Sequence, residues 1–441
     1  MQKETVEKAI ISALKRGKSA VQLVDQQVNK FEDFMNALMN IPMHNLQVED
    51  SWVIIEEGLS ESLIEQNEEE KLNQFLLLLG RQVVDLDKLR KMSWSGIPVP
   101  VRPTCWKLLL GYIPADLDLR QKVLKQKRLE YAELHAKYYV NMSDSERETS
   151  LHQIQLDVPR TIPKGYNGNI FKNDKIRLML EHIMYNWAAH HPQIGYFQGL
   201  SDIISQFIIV FLSHYVFDVE EVDFERLPPN ALSEIEADTF WCITLLLQNM
   251  ENYYTNNLYE GVAVMMDKLK GLVTLIDPQL AAHFESQNVE YIHFCVRWIL
   301  CIFTRELPFH TAIRLFDSYL AEGACFSALH VYVCAAFLQR WSSKLKSMEF
   351  VDILVFLQHT PTDDWTPRDA ERLIISAYSI GLREKAFMDY CMSATFLSTV
   401  MVFFMYLSFA SFTMTLLDEA TKHIKDHEDQ SDGQKESPEE Q

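Results

Sequence analysis

The chain has 441 residues, of which 48% are hydrophobic, and 61 acidic against 41 basic side chains give a formal net charge of −20. That is enough apolar material for one large core or two smaller ones, and a balance this acidic excludes nucleic acid as the main partner. Seven cysteines form no CxxC pair and sit mostly in apolar helical stretches, so they read as buried thiols in a reducing compartment.

Residues 1–70 read as a peripheral region, partly helical or disordered. The first residues lack the apolar run of a secretory signal. Met1–Val28 has the pattern of an amphipathic helix. Arg16-Gly17-Lys18-Ser19 looks like the end of a phosphate-binding loop, but Ser12 stands where that loop requires its first glycine, and no strand precedes it. Glu65–Lys71 is polar and solvated.

From Lys71 helical periodicity is firm. A helix over Asp85–Lys91 ends before the turn Ser95-Gly96-Ile97-Pro98. The next begins at Arg102, with Pro103 in a first turn that needs no N–H. Arg102 and Trp106 fall on one face of it and read as a stacked pair fixing the helix. Leu119–Lys137 is a long charged helix, and Asn141–Ser150 reads as a loop. In Ile154–Arg160, Pro159 predicts that Val158 leaves the helical region, placing Arg160 just beyond a break, aimed outward.

Ile176, Leu180, Ile183, Met184 and Trp187 recur at helical spacing and predict a core-facing stripe that runs out at His190-His191-Pro192. Adjacent histidines cannot both face one ion from a helix side, and with no Cys or carboxylate cluster beside them no metal site is expected. The turn Gly195–Gly199 carries Tyr196 and Gln198 and leads into an apolar helix, Leu200–Leu212, opened by Asp202 where the helix dipole favours a carboxylate. Beyond a polar loop at Asp218–Asn230, helices are predicted at Ala237–Tyr254, Tyr291–Arg305, Phe309–Leu320 with Gly323 ending it, Ala324–Trp341 and Glu349–Gln358. Another starts at Thr366-Pro367-Arg368-Asp369, which has a capping hydroxyl, a first-turn proline and an acid. No alternating strands and no internal repeat are found. The fold class is all-α.

The ordered set Gly96-Ile97-Pro98, Arg102-x-x-x-Trp106, Ile154-x-x-Asp157-x-x-Arg160 and Tyr196-x-Gln198-Gly199 resembles the TBC domain of Rab GTPase-activating proteins. Arg305-Glu306-Leu307-Pro308 and Arg314-Leu315-Phe316-Asp317 resemble that family's later helices. Each motif alone is weak, whereas the set in order is specific. Within the family the chain is most similar to the TBC1 domain family member 22 group.

The resemblance implies a TBC domain over 71–385 that accelerates GTP hydrolysis by a Rab-type GTPase and so regulates vesicle traffic. It implies an activator acting in trans, not a stand-alone hydrolase. Arg160 matches the arginine finger and Gln198 the glutamine finger. Asp157 is expected to hold Arg160 or its loop, Tyr196 to support by packing, Gly199 to permit close backbone approach, and Arg102 and Trp106 to brace the site. Asp157 also offers a plain salt bridge to Arg160. GTP and Mg²⁺ would be carried by the partner, with no cofactor of the chain's own. The alternative is a Rab-binding or adaptor scaffold at a membrane, with weak catalysis and adaptors taken by the N-terminal region.

From Tyr390 to Leu417 the chain carries no charged side chain, a run longer than the roughly 20 apolar residues that cross a bilayer. It reads as a membrane anchor or a buried apolar helix. Arg383 and Lys385 before it, and Lys422 and Lys425 after it, do not fix an orientation. Residues 418–441 form an acidic tail. The expected location is cytoplasmic, on Golgi or endosomal membranes.

Overall fold

The computed structural model describes residues 61–141, 144–248 and 258–385. The chain divides into two compact units, Met1–Lys71 and Leu72–Gln441. The expected helix at Met1–Val28, the uncharged run 390–417 and the tail 418–441 lie outside the described residues. Among those residues, regular structure is helical, with one isolated bridge between Val83 and Asp116, and no helix is long and apolar enough to cross a membrane.

The chain enters through α1 (Glu61–Leu79), followed by α2 (Leu86–Trp94), α3 (Arg102–Leu109) and α4 (Leu117–His135). Helix α1 starts within the stretch predicted to be peripheral, because its Glu, Gln and Leu residues are strong helix formers. Asp85 caps α2 by accepting from the Lys88 N–H. Helix α5 (Asp144–Asp157) occupies most of the stretch predicted as a loop. Its polar sequence hides a sparse apolar face, on which Leu151, Ile154 and the following Val158 are buried. Helices α6 (Asp174–His190), α7 (Leu200–Leu212) and α8 (Ala231–Gln248) follow. Then come α9 (Leu258–Ile276), α10 (Pro278–Ser286), α11 (Ile292–Leu300), α12 (Phe309–Glu322), α13 (Phe326–Arg340), the single turn α14 (Ser342–Leu345) and α15 (Phe350–Gln358). Residues 367–385 are helical, entered by a box in which the Thr366 N–H and hydroxyl both donate to Asp369.

Two apolar helices form the centre. In α7 every residue but Asp202 is buried, and α12 is buried from Thr311 through Ala321. All five residues predicted as the core stripe of α6 are buried. Trp106 wedges α3 between the central pair, 4.9 Å from the Phe207 ring on α7 and 5.9 Å from the Phe316 ring on α12. Truncating a buried Trp of this kind costs about 3–5 kcal/mol.

Arg102 and Trp106 do not stack on each other. Both reach one carboxylate: Arg102 Nε donates to Asp317 Oδ1 at 3.1 Å, Nη2 to Oδ2 at 3.1 Å, and Trp106 Nε1 to Oδ1 at 2.8 Å. The Ile97 N–H also donates to Oδ2, at 2.9 Å. Asp317 is fully buried, and a buried charge persists only when paired and hydrogen-bonded in this way. The Gly96-Ile97-Pro98 turn, α3 and α12 are thereby pinned at one point.

The largest departure from the sequence reading lies at the end of α11. Instead of running to Arg305, the helix stops at Leu300, and Ile302 and Phe303 take φ of 49° and 64°. A left-handed β-branched residue followed by a left-handed aromatic is a strained pair. The Phe303 N–H closes the turn on Trp298 O at 3.1 Å, and Thr304 Oγ1 donates to Cys301 O at 2.6 Å. Of the cysteines, 105, 242, 295, 301 and 334 are buried free thiols, Cys325 is exposed, and Cys391 is outside the described residues.

Candidate functional site

The site is built on two loops. The first leaves α5. Pro159 does not push Val158 into extended backbone; the chain tightens into a 3₁₀ turn, Val158–Arg160, and becomes extended only at Thr161. Proline is tolerated there because the first turn needs no N–H from it. Thr161 is buried and locks the turn, its N–H on Val158 O at 3.2 Å and its hydroxyl on Asp157 O at 3.0 Å. Val158 points inward while Pro159 and Arg160 are exposed. Among the described residues the Arg160 guanidinium has no hydrogen bond or ion pair, so the salt bridge to Asp157 does not form.

The second loop joins α6 to α7. The Ile194 and Gly195 N–H groups return to His191 O at 3.0 and 2.9 Å, and His191 stacks on Trp187 at 4.6 Å. Phe197 is buried against Trp187, and Gly199 is buried behind it. Gln198, between these two anchors, is exposed and makes no side-chain hydrogen bond among the described residues.

Gly199 caps α7 at φ 108°. A Cβ built there would lie 2.6 Å from Cys301 Sγ, so both backbone conformation and space require glycine.

One hydrogen bond ties the loops together. The Tyr196 hydroxyl donates to Asp157 Oδ2 at 2.5 Å. Asp157 is buried, so its carboxylate is aimed across to the other loop and not outward to Arg160. Burial, reinforced by this bond, pushes the Tyr196 hydroxyl well above its ordinary pKa. The tyrosine is therefore more than the packing support expected from sequence: it is the strut between the arginine loop and the glutamine loop.

The strained turn after α11 closes the site from below. Cys301 meets Gly199, and its thiol lies 4.0 Å from Asp202 Oδ2. Arg305 approaches Asp202 at 3.8 Å. Burial lifts Asp202 from 3.8 to about 6; Arg305 opposes that rise and the Asp157 charge adds to it. Glu306 is buried and held bidentately by Arg297, at 2.6 and 2.9 Å. Lys164, four residues beyond Arg160, donates to Thr362 Oγ1 at 2.7 Å and pairs with Asp363 at 3.0 Å. The Phe309 N–H donates to Lys164 O at 2.8 Å, which fastens the start of α12 to the arginine loop. Arg102, Trp106 and Asp317 are thus connected to the site through α12 and contact neither exposed side chain.

Sequence reasoning missed the contributions of Cys301 and Lys164 altogether. It met Arg305 and Asp317 only inside the two late motifs, where their spacing gave no partner.

The site is thus an all-α scaffold whose two adjoining loops, tied by one hydrogen bond, expose a guanidinium and an amide with no partner among the described residues. The Rab-GTPase-TBC domain model matches residues 100–346, and the chain belongs to that family. It is 38% identical over 326 residues to mouse TBC1 domain family member 22A, an alignment covering 73% of this chain and 62% of that protein. It is 40% identical over 313 residues to the GTPase-activating protein gyp1 of Schizosaccharomyces pombe, covering 70% and 60%. The chain therefore spans about three-fifths of the length of these curated relatives. Among solved structures, the Ypt/Rab-GAP domain of Gyp1p superposes with a TM-score of 0.67 at 35% identity, over 72% of this chain and 99% of that one.

Proposed function

We propose that this chain accelerates GTP hydrolysis by a small GTPase of the Rab type, with Arg160 and Gln198 supplied in trans. The observation that carries the reading is the pair of exposed side chains, each without a partner among the described residues, on two loops locked by the Asp157–Tyr196 bond.

Phosphoryl transfer asks a protein for position and charge stabilisation more than for covalent chemistry. A guanidinium is permanently charged and offers a planar fork of donors to the oxygens of the transferring phosphoryl group and the leaving bridge. Arg160 is free to take that role because no acidic group among the described residues pairs with it. A neutral amide accepts from the attacking water and donates to phosphate at once, the part assigned to Gln198; a carboxylate there would repel the nucleotide. Asp157 and Tyr196 are positioning residues: they hold the two loops in one spacing so that both side chains arrive together. Preorganisation of this kind is where most of such a rate gain originates.

In this reading the nucleotide and its Mg²⁺ are the partner's, and the chain acts on GTP already bound to the GTPase. GTP hydrolysis by a panel of Rab proteins, with and without the full chain, tests the proposal. Acceleration of one or a few members supports it. Binding of GTP-loaded Rabs with no acceleration of any would replace it with a scaffold role.

A further inference from the structure

Away from the two loops, three helices each turn one metal-ligating side chain toward a common point. His135 closes α4, His182 lies in the middle of α6, and Glu236 lies in the first half of α8. One ligand atom from each falls within 4.8 Å of the others, and all three residues are partly buried. We propose that His135, His182 and Glu236 form a binding site for a divalent transition metal of the zinc class, with water in the fourth position.

Two imidazoles and one carboxylate are a donor set that suits zinc and leaves one position open. The rings of His135 and His182 are 4.4 Å apart, centroid to centroid. His182 Nδ1 already lies 3.2 Å from Glu236 Oε1. A tetrahedral ion at about 2.1 Å from each ligand requires them about 3.4 Å apart, a closure within reach of side-chain rotation.

The surroundings supply outer partners of the kind that orient metal ligands. Tyr131, one turn before His135, donates to Glu236 Oε1 at 2.7 Å. Asn186, one turn after His182, places its amide 3.0 Å from His135 Nδ1 and 3.1 Å from the Tyr131 hydroxyl. Its Oδ1 is buried without a hydrogen-bond partner. Turning that amide over, a choice between two nearly equivalent orientations, lets Oδ1 accept from His135 Nδ1–H and leaves the Nε2 lone pair for the ion. The Tyr131 hydroxyl then turns its proton to Oδ1, while the ion holds Glu236. The Tyr139 ring stacks over His135 at 5.1 Å and meets His182 edge-on at 4.5 Å, closing one side of the site. The ion would clamp α6, whose far end leads into the glutamine loop, to α4 and α8.

The test is Zn²⁺ titration of the chelator-treated full chain by calorimetry, with thermal unfolding alongside. The expected result is one tight Zn²⁺ equivalent per chain and a rise in Tm with Zn²⁺. His135→Gln with His182→Gln should abolish both, and His190→Asn with His191→Asn should leave them intact. Asn186→Leu should weaken binding by about tenfold or more. No tight equivalent in the wild-type chain, or an equivalent that persists in the His135/His182 variant, overturns the site. Cobalt bound to the wild-type chain answers the question without any variant. Intense visible bands of tetrahedral cobalt with nitrogen and oxygen ligands support the site; a pale octahedral spectrum or thiolate charge transfer overturns it.

Discussion

Replacing Tyr196 by Phe removes one hydroxyl and keeps the ring. The bond lost is 2.5 Å long, partly buried, and is the only hydrogen bond to the Asp157 carboxylate among the described residues. Hydrogen bonds to charged groups contribute about 1.5–3 kcal/mol, and a buried acceptor left without its donor incurs a desolvation cost of that order. Tyr196→Phe should therefore lower stability by about 1.5–3 kcal/mol, read as a lower urea midpoint at unchanged slope. Asp157→Asn keeps an acceptor for the hydroxyl and loses only the charge, so its loss should be smaller. The double variant should fall short of the sum, since both changes act on the same bond. The functional effect is separable. With the strut gone, the two loops lose their common spacing, and displacement of about 1 Å costs on the order of 10²-fold in a positioned reaction. In single-turnover GTP hydrolysis with a responsive Rab, the maximal rate should drop while Rab binding changes little. A Tyr196→Phe variant with wild-type stability and wild-type acceleration would refute the strut.

Two further outcomes follow from the same site. Gly199→Ala places a methyl 2.6 Å from Cys301 Sγ at a φ of 108°; strain at such a φ is about 1–3 kcal/mol, and overpacking about 1–3 kcal/mol more. Adding Cys301→Ala should recover the overpacking part alone, and a double variant no better than Gly199→Ala would contradict the close approach. Asp202 holds its proton more tightly folded, at about 6, than its ordinary 3.8, so its contribution is most favourable below about pH 3.8 and is lost as pH rises through 6. The difference corresponds to about 3 kcal/mol, and Asp202→Asn should raise the urea midpoint at pH 7.5, with the advantage vanishing near pH 4. A variant less stable than wild type at pH 7.5 would mean that Arg305 favours the ionised form more than burial opposes it.

What the sequence disclosed and what it hid have physical reasons. The stripe of α6 and the span of α7 were legible because a 3.6-residue apolar period is a local signal and Gly199 marks where α7 begins. The polar front of α5 was misread because few apolar residues mark its buried face. The end of α11 was hidden because Tyr291–Arg305 is largely apolar and aromatic, and nothing in Ile302 or Phe303 announces a positive φ. Arg160 and Gln198 were found through motif spacing. Their coupling was not, because the Asp157–Tyr196 bond joins segments 39 residues apart. Asp317 was likewise visible in a motif, but its role as shared acceptor for Arg102 and Trp106 depends on α3 and α12 meeting in space. The cluster of His135, His182 and Glu236 draws one residue from each of three helices and leaves no linear trace.

The most direct measurement is single-turnover GTP hydrolysis by a responsive Rab with the wild-type chain, Arg160→Ala, Arg160→Lys and Gln198→Ala, with Rab binding measured for each. Arg160→Ala should lose about 10³–10⁵-fold of the acceleration, lysine should restore little of it because it lacks the planar fork, and Gln198→Ala should also fail, all with binding retained. Full acceleration by either alanine variant would mean that Arg160 and Gln198 do not act together on the nucleotide.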